Sequence, residues 1–255
     1  MAKLVPLFSG SGGNSAYIGG ASGGVLIDAG VSAKRLACAL ADIGVDPGRV
    51  GAVFVTHEHG DHIKGLRVFC ERHRVPVFAS PGTLRALEGM GALTGKMRAE
   101  PMPPGGVEAN GILVRAFATS HNTAEPCGYT CEAGAGERYA IATDTGILTD
   151  EARRALRGCD TVMLESNHEV SMLLAWPHYS DFLKRRILSD QGHLSNAVCA
   201  DFLPGLLRTG AARFYLAHLS TKTNTPELAY ACAKSAFDAA GAREGIDYEL
   251  RVCAP

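Results

Sequence analysis

The chain has 255 residues, enough for one large domain or two small ones, and 46% of them are hydrophobic, ample for a packed core. Charged residues make up 20%, which excludes a disordered chain, and 25 basic against 26 acidic residues leave a net charge of −1, which excludes a global pull toward nucleic acid. Eight cysteines without a C-x-x-C pair or a regular framework read as buried free thiols of a reducing compartment.

Residues 1–8 are too short and too early broken for a signal peptide, and no stretch approaches the ~18–20 apolar residues of a membrane helix. The expectation is a soluble, cytoplasmic protein. Residues 4–8 read as a strand. A Gly/Ser/Asn turn over 9–15 follows; it either presents backbone N–H groups to a phosphate or is only a tight strand connection. Residues 16–18 and 24–27 read as a strand pair ending in Asp28-Ala29-Gly30. A helix over about 32–43 has a Ser cap and a stop at Gly44. Residues 50–55 form a buried strand, 75–79 another, and 83–90 a helix. The proline-rich stretch 98–106 is a loop. Residues 112–119 form a strand, and 128–131 with 138–143 a hairpin whose Gly-rich turn is 133–136. A helix from about Asp150 leads to a strand over 161–165. Ser195 or Asn196 caps a helix reaching about Leu207, and Pro226 opens another that stops at Gly241. Strands mixed with helices throughout imply sheets covered by helices, in a single domain over 1–255.

Directly after the buried strand 50–55 comes Thr56-His57-Glu58-His59-Gly60-Asp61-His62. Residues two apart in an extended segment point the same way, so His57 and His59 can grip one ion. Gly60 lets the chain turn, and Asp61 and His62 point toward a second. Nitrogen and carboxylate donors suit zinc, manganese or iron, and no cysteine is near enough for a thiolate zinc site.

This cluster resembles the signature of the metallo-β-lactamase superfamily. The resemblance implies an αββα sandwich: an α/β fold of two mixed β-sheets packed face to face, with helices on the outer faces. It requires three further ligands at strand ends, and His121, Asp144 and His218 each follow a short apolar stretch. By resemblance His57, His59 and His121 hold the first ion, Asp61, His62 and His218 the second, and Asp144 bridges both. Two divalent ions (Zn2+, Mn2+ or Fe2+) can share a hydroxide near neutral pH, which would serve as the nucleophile of a hydrolase. Asp61 can orient it or receive its proton.

The segment Gly192-His193-Leu194-Ser195-Asn196 followed by Leu216-Ala217-His218-Leu219-Ser220 is similar to late motifs of the phosphodiesterase branch that includes tRNase Z and RNase J. There a histidine outside the ligand set contacts the scissile phosphate or protonates the leaving oxygen, a role this implies for His193; otherwise it is a polar residue near a helix start. Residues 9–15, 141–146, 164–168 and 224–228 resemble the YycJ (WalJ) group, bacterial exonucleases of this fold described as acting on DNA from the 5′ end. Asn122 departs from the Asp expected there, and Trp176-Pro177-His178-Tyr179-Ser180 is atypical. Lys184, Arg185 and Arg186 either follow a DNA backbone or form a solvated helix face. Ser195 either contacts substrate or serves as a helix cap. Arg153, Arg154 and Arg157 read as surface residues, Glu165, Asn167 and His168 as support for ligands, and His73 and His178 as ordinary residues.

The leading expectation is a two-metal phosphodiesterase acting on DNA. The alternatives are a small-molecule hydrolase of the same fold, acting on a cyclic phosphodiester or a thioester, and a metal-binding protein without activity. A full set of seven donors argues against the last.

Overall fold

The structure, a computed structural model, describes residues 2–134 and 136–253. Met1, and Ala135 in the expected Gly-rich turn, lie outside the described residues. The chain falls into two compact units, one running to Ala116 with Thr123–Glu137, the other comprising Phe117–Asn122 and everything from Arg138 onward.

The first unit contains β1 (Lys3–Phe8), β2 (Ser15–Gly20), β3 (Gly23–Ile27), α1 (Ala33–Asp42), β4 (Val50–Phe54), α2 (Gly60–Ile63), α3 (Leu66–His73), β5 (Val77–Ala79), α4 (Pro81–Gly89), β6 (Ala99–Pro101), β7 (Val107–Ala109), most of β8 (Ile112–Ala118) and β9 (Cys127–Ala133). Strands β1 to β6 form one sheet in sequence order. Its first three strands are antiparallel and the rest parallel. The middle strand β3 is buried along its whole length, as a strand covered on both faces must be. Leu26, Val53, Leu36, Leu40, Phe69 and Leu87 join in one apolar cluster. Helix α1 forms as read: the Ser32 side chain accepts the Arg35 N–H, and Leu36 and Leu40, one turn apart, are its buried stripe.

The second unit carries β10 (Glu137–Ala142), α5 (Asp150–Leu156), β11 (Thr161–Glu165), α6 (Val170–Ala175), α7 (Asp181–Ile187), α8 (Asn196–Leu207), β12 (Arg213–Ala217), α9 (Pro226–Ala239) and β13 (Glu249–Val252). Strands β10 to β13 run parallel in that order. Leu164, Leu203, Phe214, Leu216 and Phe237 are in its apolar cluster. Of the two caps offered for α8, Ser195 forms, accepting from Val198; α9 opens at Pro226 as read, and Thr225 before it accepts from Leu228.

Besides the short elements α2, β7 and α6, which the reading did not include, four differ from it instructively. The proline-rich loop 98–106 contains the short strand β6, which tolerates Pro101 because it is an edge strand ending there. Helix α3 was missed because its N-cap is Gly65, with no capping side chain; buried Leu66, Phe69 and Cys70 hold it in place. Helix α7 buries no residue at all, so it carries no apolar stripe to read. Strand β13, with exposed Glu249 and Arg251, is recognisable only by its pairing with β12.

Candidate metal centre

In the first unit the chain leaves β4 as Val55-Thr56-His57 and then enters α2. His57 Nε2 lies 3.1 Å from His59 Nδ1, as the i, i+2 argument requires. Two nitrogens on one zinc, each with a bond of ~2.0–2.1 Å, stand about 3.3 Å apart at a tetrahedral angle, so the pair fits one ion. Nδ1 of His57 faces the Thr56 hydroxyl at 3.0 Å. The buried His62 ring lies 4.1 Å from that of His57, and its Nε2 is 3.6 Å from Asp61 Oδ2.

Two residues that the sequence reading passed over hold this set in place. Asp28, at the end of β3, has a left-handed backbone (φ 63°). One carboxylate oxygen accepts the Thr56 N–H at 2.8 Å; the other meets the Thr56 hydroxyl at 2.8 Å and His62 Nδ1 at 2.7 Å. A carboxylate on Nδ1 directs Nε2 outward as a ligand. Asn14, in the turn over 9–15, places Nδ2 3.2 Å from Asp61 Oδ2 and 3.0 Å from His62 Nε2. That approach needs Gly30, where a Cβ would collide with the Asp61 carbonyl. Asp28 carries a signal like the one that marked Asp144 and His218, a polar residue close behind a short apolar stretch.

In the second unit the donors come from the ends of parallel strands and the loops around them, where open α/β sheets collect ligands. Asp144 (φ 56°) and His218 (φ 55°) are both left-handed, an uncommon conformation outside glycine that turns the side chain sharply off its strand. His121 Nδ1 is 2.9 Å from the Gly192 carbonyl, and its Nε2 is 3.8 Å from Asp144 Oδ1. Burial lowers its pKa from 6.5 against the pull of Asp144, so the neutral, ligating form is favoured. Single donor atoms of Asp144, Glu165, His193 and His218 all lie within 4.8 Å of one another.

Glu165 organises this group. Its Oε1 is 2.7 Å from His193 Nδ1 and 2.9 Å from His218 Nδ1, and Oε2 accepts the N–H groups of Thr145 and Leu194 at 2.9 and 3.3 Å. Burial alone would raise this fully enclosed carboxyl. The charge of His193 and the hydrogen bonds from His193 and His218 outweigh it and hold the pKa down to about 2. The histidines therefore face a carboxylate, which aims Nε2 of each away from it.

The other candidate residues are placed as follows. His193 is more open than its neighbours, with a side chain 20% exposed against 5% for His218. Ser195 is the cap of α8 and is buried. Lys184 folds back to donate to the Leu174 carbonyl at 2.5 Å, while Arg185 and Arg186 are exposed on α7.

A donor set of imidazole nitrogens and carboxylates, with Nδ1 of His62, His121 and His218 tied to a carboxylate or carbonyl, has the chemistry of a hydrolytic metal site. The sequence profile of the beta-lactamase superfamily domain matches residues 24–219, and the chain belongs to that superfamily as a metal-dependent hydrolase. Within it the chain falls in the YycJ-like group. It is 35% identical over 248 residues to an exodeoxyribonuclease YycJ of Bacillus anthracis, covering 96% of this chain and 92% of the relative. It is 32% identical over 257 residues to an exodeoxyribonuclease WalJ of Streptococcus pneumoniae, covering 99% and 94%. The metallo-β-lactamase fold protein YhfI of Bacillus subtilis matches with a TM-score of 0.73 at 13% identity, covering 99% of this chain and 96% of that one, which shows the fold.

Proposed function

We propose that the chain is a two-metal phosphodiesterase that degrades DNA as an exonuclease, in the 5′ to 3′ direction, in the cytoplasm. The observation that carries this reading is the likeness, over more than nine-tenths of each chain, to two proteins named as exodeoxyribonucleases. The match over 24–219 draws on both units, which supports treating 1–255 as one catalytic domain. In this proposal His57, His59 and His121 serve one ion, Asp61, His62 and His218 the other, and Asp144 both. Zinc, manganese and iron all suit such donors. When bound, the ions supply an activated water and offset the charge of a phosphodiester.

The chain's own residues contribute the rest. Asp61 orients the attacking water or takes its proton. His193, with Nδ1 committed to Glu165, has Nε2 left to contact a phosphate oxygen or to protonate the departing oxygen. Asp28 and Glu165 keep the rings in the ligating tautomer. Arg185 and Arg186 are candidates to follow the strand. Eight free cysteines agree with a reducing compartment. A small-molecule hydrolase remains the second reading, favoured by the net charge of −1.

The test is a panel of end-labelled single- and double-stranded DNA and RNA, run with Mn2+, Mg2+ and Zn2+, beside a chromogenic small phosphodiester. Processive loss of nucleotides from the 5′ end of DNA is expected. Turnover of the small ester with none on any nucleic acid would return the chain to the second reading. His193→Ala should retain metal and lose ~10²–10⁴ in rate on DNA. Metal loss in step with activity would make His193 a ligand instead.

A further inference from the structure

Beside Asp61, wholly within the first unit, lies a cavity of about 580 Å3 whose wall includes Ser11, Gly12, Gly60, Asp61, Lys64 and Arg67. Lys64 follows α2 and Arg67 is in the first turn of α3, so the helices that follow the histidine cluster set where both side chains leave the backbone. Both are exposed, and neither has an ion-pair or side-chain hydrogen-bond partner among the described residues. Two uncompensated cations thus share this wall with one carboxylate, itself assigned to a metal in the reading above.

Two glycines leave part of the same wall bare. A Cβ on Gly12 or on Gly60 would meet nothing within 4 Å, and neither residue is among the glycines with a positive φ. Neither packing nor backbone conformation therefore demands glycine at these two points, and the turn expected at Gly60 needs no glycine freedom. What glycine does supply is bare backbone, which lets a ligand lie closer than any side chain would allow.

We infer that this cavity is a phosphate subsite for the substrate strand, in which Lys64 and Arg67 hold a backbone phosphate next to the one cleaved. The inference rests on the nuclease reading. A guanidinium can pair with two phosphate oxygens at once, and the ammonium adds a mobile point charge. The strand backbone lies against Gly12 and Gly60. The subsite sets the register of the strand relative to Asp61, so its loss raises KM for oligonucleotides more than it lowers kcat.

The experiment uses the metal-loaded chain and a fluorescently labelled phosphorothioate oligonucleotide, which slows cleavage, with affinity followed by anisotropy at rising salt. The double variant Lys64→Gln/Arg67→Gln should weaken binding about tenfold or more, the scale of lost hydrogen bonds to a charged group. Its log-log salt dependence should flatten by about 0.7, the share of one phosphate on a single strand. Gly12→Val should weaken binding with no loss of melting temperature, because a Cβ at this exposed position meets nothing within 4 Å. Lys34→Gln, on the exposed face of α1, should change neither affinity nor slope. Wild-type affinity and slope in both the double variant and Gly12→Val would overturn the subsite, as would an equal loss in Lys34→Gln. A wild-type chain that neither binds nor cuts any oligonucleotide would instead overturn the nuclease reading on which the subsite stands.

Discussion

Individual side chains divide between holding ligands and being ligands. Asp28 is of the first kind: it makes no claim on a metal, yet His62 depends on it for orientation. Asp28→Ala should leave the donors in place and weaken metal binding ~10–100-fold, the cost usual for losing such a partner. Metal titration by calorimetry checks this, and unchanged affinity would reduce Asp28 to a support for Thr56. His168 shows a different economy. It is buried, with neither ring nitrogen hydrogen-bonded among the described residues. Burial, opposed by Glu165, lowers its pKa from 6.5 to about 4. The folded chain thus keeps it neutral while the unfolded chain takes up a proton. Its contribution is fully present above pH 6.5 and is lost as pH falls toward 4, on the order of 3 kcal/mol in all. Urea melts across that window should show the acid limb, and His168→Leu should flatten it; the same limb in both proteins would contradict the assignment.

At the scale of elements, the ends of strands and helices store the strain. Arg74, Asp144 and His218 share a left-handed backbone that costs a non-glycine residue ~1–2 kcal/mol. Arg74 only ends α3, with its N–H on the Cys70 carbonyl, and its side chain is exposed. Arg74→Gly should therefore stabilise the chain by up to about 1 kcal/mol, the relief less the entropy glycine adds. A fall in melting temperature would show that the arginine side chain matters there. The same relief at Asp144 or His218 would remove a proposed ligand, so the strain at those strand ends is kept for what the side chains do.

For the whole molecule, metal binding and folding should be linked. The proposed ligands run from His57 to His218, so ions that bind only the folded chain stabilise it by ~2.7 kcal/mol at a hundredfold excess over Kd. Reconstituted protein should carry close to two divalent ions per chain, and chelation should lower its melting temperature. His59→Ala should reduce the metal content; no transition metal after reconstitution would defeat the proposal. Among the described residues no helix is long and apolar enough to cross a membrane.

Much of this was legible in the amino-acid sequence, for a local reason. Ligands two to five residues apart after an apolar strand, a serine cap before a helix and a glycine after one are all short-range patterns, and they marked β4, α1, α8, α9 and the cluster of His57, His59, Asp61 and His62, whereas His121, Asp144 and His218 entered only through the family resemblance. The superfamily followed from the same cluster. Helix α7 and strand β13 were not legible, because the first has no buried face and the second is recognised by its neighbour. The supporting contacts also escaped, since each joins distant parts of the chain: Asp28 to His62 across 34 residues, Glu165 to His218 across 53 and His121 to the Gly192 carbonyl across 71. The sequence by itself determined which atoms are available to hold a metal. Only the tertiary structure decided which nitrogen of each ring is committed, which backbone is turned at a strand end, and where two cations border an open wall. Those depend on contacts between segments that no local pattern brings together.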